Sequence, residues 1–178
     1  MEDRLTRGFI AGVISGIVTN AFNILLGAAG LSELRFLDWT GIVMYDHIPP
    51  FTLGEMIFAL VGQLIFTGGL GVLFIYLIPL ITSKNLLFKS WLWGASIWFV
   101  IDGLTTLYKM EGISPTSLGT SVGNYLSASL YGLVLAPLLA RLAPMGEAGF
   151  SLMPAPAAAK HLAENDNPPA KENSRQEK

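Results

Sequence analysis

Residues 57–81 read IFALVGQLIFTGGLGVLFIYLIPLI, an unbroken run without a charged side chain. A helix needs about 20 predominantly apolar residues to cross the roughly 30 Å of hydrocarbon in a bilayer. Three further stretches, residues 8–31, 91–108 and 118–142, are similar in length and mostly apolar. None of the four alternates with a period of two residues, and each is too long for a strand. We therefore predict four membrane-spanning helices.

These stretches predict an all-α fold, an integral membrane four-helix bundle formed by residues 1–142. The composition agrees, because 52% of the side chains are hydrophobic and only 13% are charged, and the mean hydropathy is +0.52. Such values nearly exclude a soluble enzyme. A net charge of −2 leaves no basic surface for nucleic acid. Residues 143–178 are rich in Pro, Ala, Asn, Glu and Lys, which predicts a disordered cytoplasmic tail.

The two connections between the first three spans differ in character. Residues 32–54 mix apolar and charged side chains at near-helical spacing and are too charged to span. They predict a short helix that lies in the membrane interface and is stopped by Pro49 and Pro50. The connection at residues 82–90 is short, which predicts that the second and third spans are antiparallel neighbours.

Basic residues near the span ends predict the orientation, because loops rich in Lys and Arg stay on the cytoplasmic side. One side has Arg4, Arg7, Lys84, Lys89 and Arg141, and the other has Arg35 and Lys109. We therefore predict a multi-pass membrane protein with both termini in the cytoplasm. A cleavable signal peptide is the alternative for the first stretch. That stretch is long for a signal peptide and is interrupted by Asn20 and Asn23.

Small residues recur at intervals of four in the first and fourth spans, a spacing that places them on one face of a helix. They are Gly8, Gly12 and Gly16 in the first span, and in the fourth Gly119, Gly123 and Ser127 on one strip and Gly132 and Ala136 on a second. Such faces let two backbones approach closely, so we predict that these residues form helix contacts. The sequence leaves the partner open: another helix of this bundle, a second copy of the chain, or another membrane protein.

Polar residues fall at similar depths in the four predicted spans. A rise of 1.5 Å per residue places Gln63, Asp102 and Asn124 about 9 Å below the outer surface and Asn23 about 12 Å below it, with Asn20 deeper. Polar groups are costly in contact with lipid, so we expect these side chains to turn inward and to hydrogen-bond to one another. Asp102 is the charged member of this set, and we expect it to bond to one of the amides.

Two kinds of function are compatible with this polar layer. It is either a structural clasp or an outward-facing site at which Asp102 responds to protons or cations. Polar residues in the cytoplasmic halves are too few for a conduction route. We therefore favour a structural, interaction or assembly component of the membrane, with a small transporter or proton- or cation-linked protein as the alternative.

Enzyme chemistry is the weakest interpretation of the sequence. Asp46 and His47 adjoin near Glu55, which is compatible with an acid–base pair. No nucleophile elbow, zinc signature or phosphate loop accompanies them, so we predict no catalytic residues. No motif implies a metal or a cofactor. The predicted partners are the lipid bilayer and, through the small-residue faces, a second copy or another membrane protein.

Residues 8–140 resemble a family of bacterial membrane proteins called YqhR-like. The resemblance rests on the glycine-rich first span, on Thr52, Leu53 and Gly54, on residues 94–99, and on Tyr131 with Gly132. Members of this family are small four-span proteins without an established activity. The resemblance implies a bacterial plasma membrane and assigns no functional residue.

Overall fold

The computed structural model describes residues 3–81 and 85–142. Over these residues the chain forms five α-helices: α1 (Arg4–Ala28), α2 (Phe36–Tyr45), α3 (Leu53–Ile81), α4 (Leu86–Leu107) and α5 (Leu118–Leu142). The described residues contain no strand, which confirms the all-α prediction. The predicted disordered tail, residues 143–178, lies outside the described residues.

Three of the helices are long and apolar enough to cross a membrane: α1, α5, and α3 from Leu53 to Leu80. This finding supports a membrane protein. The helix α4 is not among the three, although it is 22 residues long. Lys89, Asp102 and three tryptophans lower its average hydropathy. The fourth span therefore stays a prediction.

A capping box determines where α3 begins. Thr52 Oγ1 accepts a hydrogen bond from the Glu55 N–H at 3.3 Å, and the Glu55 carboxylate accepts one from the Thr52 N–H at 2.7 Å. This reciprocal pair satisfies two backbone donors that the first turn of a helix leaves free. The helix consequently starts at Leu53, before the residue 57 that the apolar run alone predicts.

The short helix predicted between the first two spans is α2. The Asp38 carboxylate fixes its first turn by accepting from the Arg35 N–H at 3.2 Å and pairing with the Arg35 guanidinium at 2.7 Å. The helix ends at Tyr45, where Asp46 adopts a left-handed backbone conformation with φ of 55°. It therefore stops ahead of Pro49 and Pro50 rather than at them.

Glycines bring α1 into close contact with α3. A Cβ at Gly8 would lie 2.8 Å from the α3 backbone, and a Cβ at Gly12 would lie 2.9 Å from the Cα of Gly68. Gly16 faces the side chain of Thr67 at the same contact between α1 and α3. A larger residue at these positions would push the two backbones apart. The glycine face of the first helix is thus covered by the chain itself.

The helices α4 and α5 form a second close pair. A Cβ at Gly132 would lie 2.8 Å from the Cα of Trp91, and one at Gly94 would lie 3.2 Å from the backbone nitrogen of Gly132. Ala136 is fully buried in the core that this pair helps to form.

The remaining small residues of α5 face α1 and the segment that follows it. Ser127 is fully buried beside Asn23 of α1. A Cβ at Gly119 would lie 2.8 Å from the carbonyl oxygen of Leu31, and one at Gly123 would lie 3.4 Å from the Cβ of Ser32. All the predicted helix-contact residues therefore have neighbours within this chain.

The packing order is α3, α1, α5, α4, with each helix packed mainly on its neighbours in this series. Along their described lengths α3 and α4 do not share a packed face. They meet where the rings of Phe74 and Trp93 lie 5.9 Å apart, centroid to centroid. The prediction that these two helices are packed neighbours is therefore wrong for most of their length. The reason is that glycines hold α3 on α1 and α4 on α5.

Apolar packing and polar packing occupy opposite ends of the bundle. The apolar core lies where α3 ends and α4 begins, and its buried residues are Ala11, Phe74, Ile75, Ile78, Leu86, Tyr131, Leu135, Ala136 and Leu139. Toward the other end the buried side chains are largely polar and include Asn23, Gln63, Thr105, Thr120 and Asn124. Since a buried polar group requires a partner, this end is where a functional site is expected.

Candidate functional site

Asn23 ties three helices together at the polar end. Its side chain is 1% exposed. The Nδ2 group donates to Ser127 Oγ at 3.1 Å and to Asn124 Oδ1 at 3.4 Å, and Oδ1 accepts from the Phe36 N–H at 2.7 Å. These bonds join α1 to α5 and to the first residue of α2. We refer to them as the Asn23 clasp.

Asn20 is also buried, but it takes no part in this clasp. Its Nδ2 group donates to the carbonyl of Gly16, one turn earlier in α1, at 3.1 Å. Of the five polar residues that the sequence groups together, Asn23 and Asn124 share a hydrogen bond. Gln63 and Asp102 line a cavity, to which Asn124 also contributes.

A cavity of about 120 Å³ lies between α3 and α4, and all five helices contribute to its lining. It exists because α3 packs on α1 and α4 packs on α5, which leaves a space between the two outer helices. Polar side chains in the lining include Thr19, Thr40, Gln63, Thr67, Asp102 and Asn124. Large apolar side chains in it include Phe66, Leu70, Ile97, Trp98 and Ile101.

Asp102 and Gln63 carry acceptor oxygens in the cavity that have no hydrogen-bond partner among the described residues. The Asp102 side chain is half-buried, and its carboxylate has no hydrogen bond or ion pair within the described part of the chain. The Gln63 side chain is 8% exposed, and its Oε1 is buried without a hydrogen-bond partner among the same residues. The bond expected from Asp102 to an amide is therefore not formed. An unsatisfied buried acceptor costs about 1–3 kcal/mol.

Four hydroxyl groups in the lining already donate hydrogen bonds within the protein. Thr19, Thr40, Thr67 and Tyr131 each donate to a backbone carbonyl, at distances between 2.7 and 3.0 Å. A hydroxyl that has given its proton keeps two lone pairs as acceptor sites. Together with the Asp102 and Gln63 oxygens, these groups give the cavity several hydrogen-bond acceptors, beside a buried donor, the Trp98 Nε1–H group, that has no partner among the described residues.

The cavity is closed at one end and reaches the bundle surface at its side. Asp102 lies about 8 Å from the end of α4, and Gly94 lies about 12 Å further along the same helix. Beyond Gly94 the rings of Phe74 and Trp93 close the gap between α3 and α4. Phe66 lines the cavity and is 51% exposed. The opening therefore lies beside α3, on the outside of the bundle.

Sequence reasoning missed the tryptophans of this cavity. Trp98 lies one helical turn before Asp102, and residues four apart share a helix face. That spacing is the signal that could have associated them. The Trp98 Nε1 is buried without a hydrogen-bond partner in the described ranges, and its ring lies 5.2 Å from that of Tyr125. Trp39 of α2 also lines the cavity, and no pattern in the sequence indicates this.

Asp46, His47 and Glu55 are not part of the cavity lining. His47 Nε2 is 3.4 Å from Glu55 Oε1. The Ile48 carbonyl, and then the Glu55 carboxylate, raise the pKa of His47 above its ordinary value by hydrogen bonding to the ring. Asp46 serves as the C-cap of α2. No three His, Cys, Asp or Glu side chains within residues 3–81 and 85–142 are grouped so as to hold a metal ion.

Comparison with protein-family models, with curated proteins and with solved structures finds no match. The resemblance to the YqhR-like proteins therefore stays a prediction. The function is inferred below from the geometry of this chain.

Proposed function

We propose that the chain is a four-span protein of the bacterial plasma membrane that binds a small molecule inside the bilayer, in the cavity between α3 and α4. One observation carries the proposal: Asp102 and the buried Gln63 carbonyl line the same cavity and have no hydrogen-bond partner within residues 3–81 and 85–142. Polar groups left unsatisfied at membrane depth are costly. A ligand that bonds to both Asp102 and the Gln63 carbonyl removes this cost, and ligand binding therefore accounts for the presence of both groups in the cavity.

The surface of α4 supports a fourth span. Its 22 residues extend for about 33 Å, enough to cross the hydrocarbon. Leu92, Phe99 and Val100 are 47%, 71% and 54% exposed, as expected of side chains that contact lipid. Four spans put both termini on the same side, and the distribution of Lys and Arg favours the cytoplasmic side.

Internal packing of the small residues favours ligand binding over the assembly hypothesis. Gly8, Gly12 and Gly16 contact α3, and Gly132 contacts α4. The faces on which the assembly hypothesis rests are thus already covered. Association with a second copy or with another membrane protein stays a prediction. Transport is the second candidate, and it would require α3 and α4 to separate at Phe74 and Trp93, where their rings now meet.

Native mass spectrometry of protein purified in mild detergent tests ligand binding. Ile101 lines the cavity, whereas the neighbouring Val100 is 54% exposed. The variant Ile101→Trp fills the cavity, and Val100→Trp adds similar bulk on the outer face. We expect the wild type and Val100→Trp to carry a small bound molecule that Ile101→Trp lacks. Identical bound masses in all three proteins would contradict the proposal.

A further inference from the structure

We propose that the ligand is a single-chain amphiphile with a cationic head that carries N–H donors, in its simplest form a long-chain alkylammonium, and that it enters sideways from the lipid. This inference rests on the proposed function and adds to it the ligand class and the route of access. It follows from three features of the cavity: the acidic Asp102 side chain among several hydrogen-bond acceptors, the apolar depth, and the lateral opening.

The chemistry of the lining favours a cationic head. Among the described residues that line the cavity, Asp102 is the only acidic one and none is Lys, Arg or His. The four hydroxyl groups donate to backbone carbonyls, and Gln63 Oε1 accepts nothing from the described residues. An ammonium group offers three donors and needs no donor in return. It can therefore donate to the Asp102 and Gln63 oxygens, and its bond to a carboxylate is stronger than one between neutral groups. An anionic head would be repelled by Asp102.

The rest of the cavity suits an apolar chain. Between Asp102 and Gly94 the lining runs for about 12 Å along α4. Its side chains over this length include Phe66, Leu70 and Ile97, which are large and apolar. A small ammonium ion would occupy only the Asp102 end and leave this surface without contacts. A ligand with an alkyl chain fills both parts.

The opening between α3 and α4 faces the lipid when both helices span the membrane. The exposed Phe66 marks the place where the cavity reaches the outside of the bundle. The two helices do not pack together on this side of Phe74 and Trp93. An amphiphile in the outer leaflet can therefore enter while its chain stays in an apolar environment. Its head then moves to Asp102, about 8 Å below the end of α4.

A titration with four probes tests the head and the chain separately. The full-length protein in phosphatidylcholine nanodiscs is titrated with dodecylammonium, dodecanol, dodecanoate and propylammonium, and native mass spectrometry reports the bound fraction. We expect dodecylammonium to bind about tenfold more tightly than dodecanol, because its head is itself charged and pairs with the Asp102 carboxylate as an ion as well as by hydrogen bonding. Dodecanoate should bind more weakly than dodecanol. Propylammonium, which lacks the long chain, should bind more weakly than dodecylammonium.

The variant Asp102→Asn keeps the size of the side chain and removes its charge. We expect it to lower the preference for dodecylammonium over dodecanol to about twofold or less. Val100→Asn, on the lipid-facing side of the same helix, is the matched control and should keep the wild-type preference. If Asp102→Asn does not fold, the wild-type ratio of the two affinities still decides the nature of the head.

The outcomes separate this inference from the proposed function. Equal wild-type affinities for dodecylammonium and dodecanol, or a preference for dodecanoate, would overturn the cationic head and leave the binding cavity intact. Propylammonium binding as tightly as dodecylammonium would overturn the alkyl chain and access from the lipid. Binding of every dodecyl probe that is unchanged by Ile101→Trp would overturn the cavity as the binding site, and with it the proposed function.

Discussion

Replacing Asn23 with Ala should loosen the polar end of the bundle, because the Asn23 clasp joins α1, α5 and the start of α2. The substitution removes two side-chain bonds, to Ser127 and Asn124, and the acceptor of the Phe36 N–H. Hydrogen bonds between membrane helices contribute about 0.6 kcal/mol each on average. A buried N–H left unsatisfied costs about 1–3 kcal/mol. We therefore expect the free energy of unfolding to fall by about 2–4 kcal/mol.

Asn20→Ala is the matched control for this prediction. Asn20 is 6% exposed, similar to Asn23, but its amide bonds only to the Gly16 carbonyl of its own helix. Loss of this hydrogen bond should lower the free energy of unfolding by less than about 1 kcal/mol. Reversible unfolding by sodium dodecyl sulfate in mixed micelles, followed by circular dichroism, measures both variants. Equal losses for the two, or an Asn23→Ala variant as stable as the wild type, would refute the clasp.

Three further predictions concern the helix seam, the outer loop and the topology. Gly132→Ala should destabilise the bundle by about 1–3 kcal/mol, because the added Cβ would overlap the α4 backbone. Gly103→Ala is the control, since a Cβ at Gly103 meets nothing within 4 Å, and it should be neutral or slightly stabilising. Equal free energies of unfolding for the two variants in the same assay would contradict the close contact between α4 and α5. The Ile48 carbonyl and the Glu55 carboxylate raise the pKa of His47 above 6.5. The charged ring therefore stabilises the loop at pH values below 6.5, and this stabilisation is lost as the pH rises through the raised pKa. NMR titration should give a lower pKa for His47 in Glu55→Gln, and an unchanged value would exclude this contact. Reporters fused to either terminus should both lie in the cytoplasm, and one outside the cell would rule out four spans with internal termini.

The helices follow from the sequence more readily than their boundaries do. Long apolar runs without a two-residue period allow only helices in a membrane, and α1, α3 and α5 appear where those runs predict them. The apolar run predicts the start of α3 too late, because apolar character does not mark a helix end. Thr52 and Glu55, three residues apart, have the spacing of a capping box, and this local signal gives the correct start at Leu53.

The packing of the helices, and with it the cavity, could not be predicted from connection length. A short loop brings the ends of α3 and α4 together but does not determine the face on which either packs. The glycines determine it: Gly12 lets α3 approach α1, and Gly94 lets α4 approach α5. The depth calculation did single out Gln63 and Asp102. It could not show that they face a space rather than each other, because depth along a helix says nothing about the gap between two helices.

A single-cysteine protection measurement tests the binding cavity most directly, because the chain contains no cysteine of its own. The variants Ile101→Cys and Val100→Cys place one thiol in the cavity lining and one on the exposed face beside it. The rate of reaction with N-ethylmaleimide is measured in phosphatidylcholine nanodiscs with and without dodecylammonium. We predict that dodecylammonium slows the reaction at position 101 and leaves position 100 unchanged. No protection at position 101, or equal protection at both positions, would contradict a ligand site between α3 and α4.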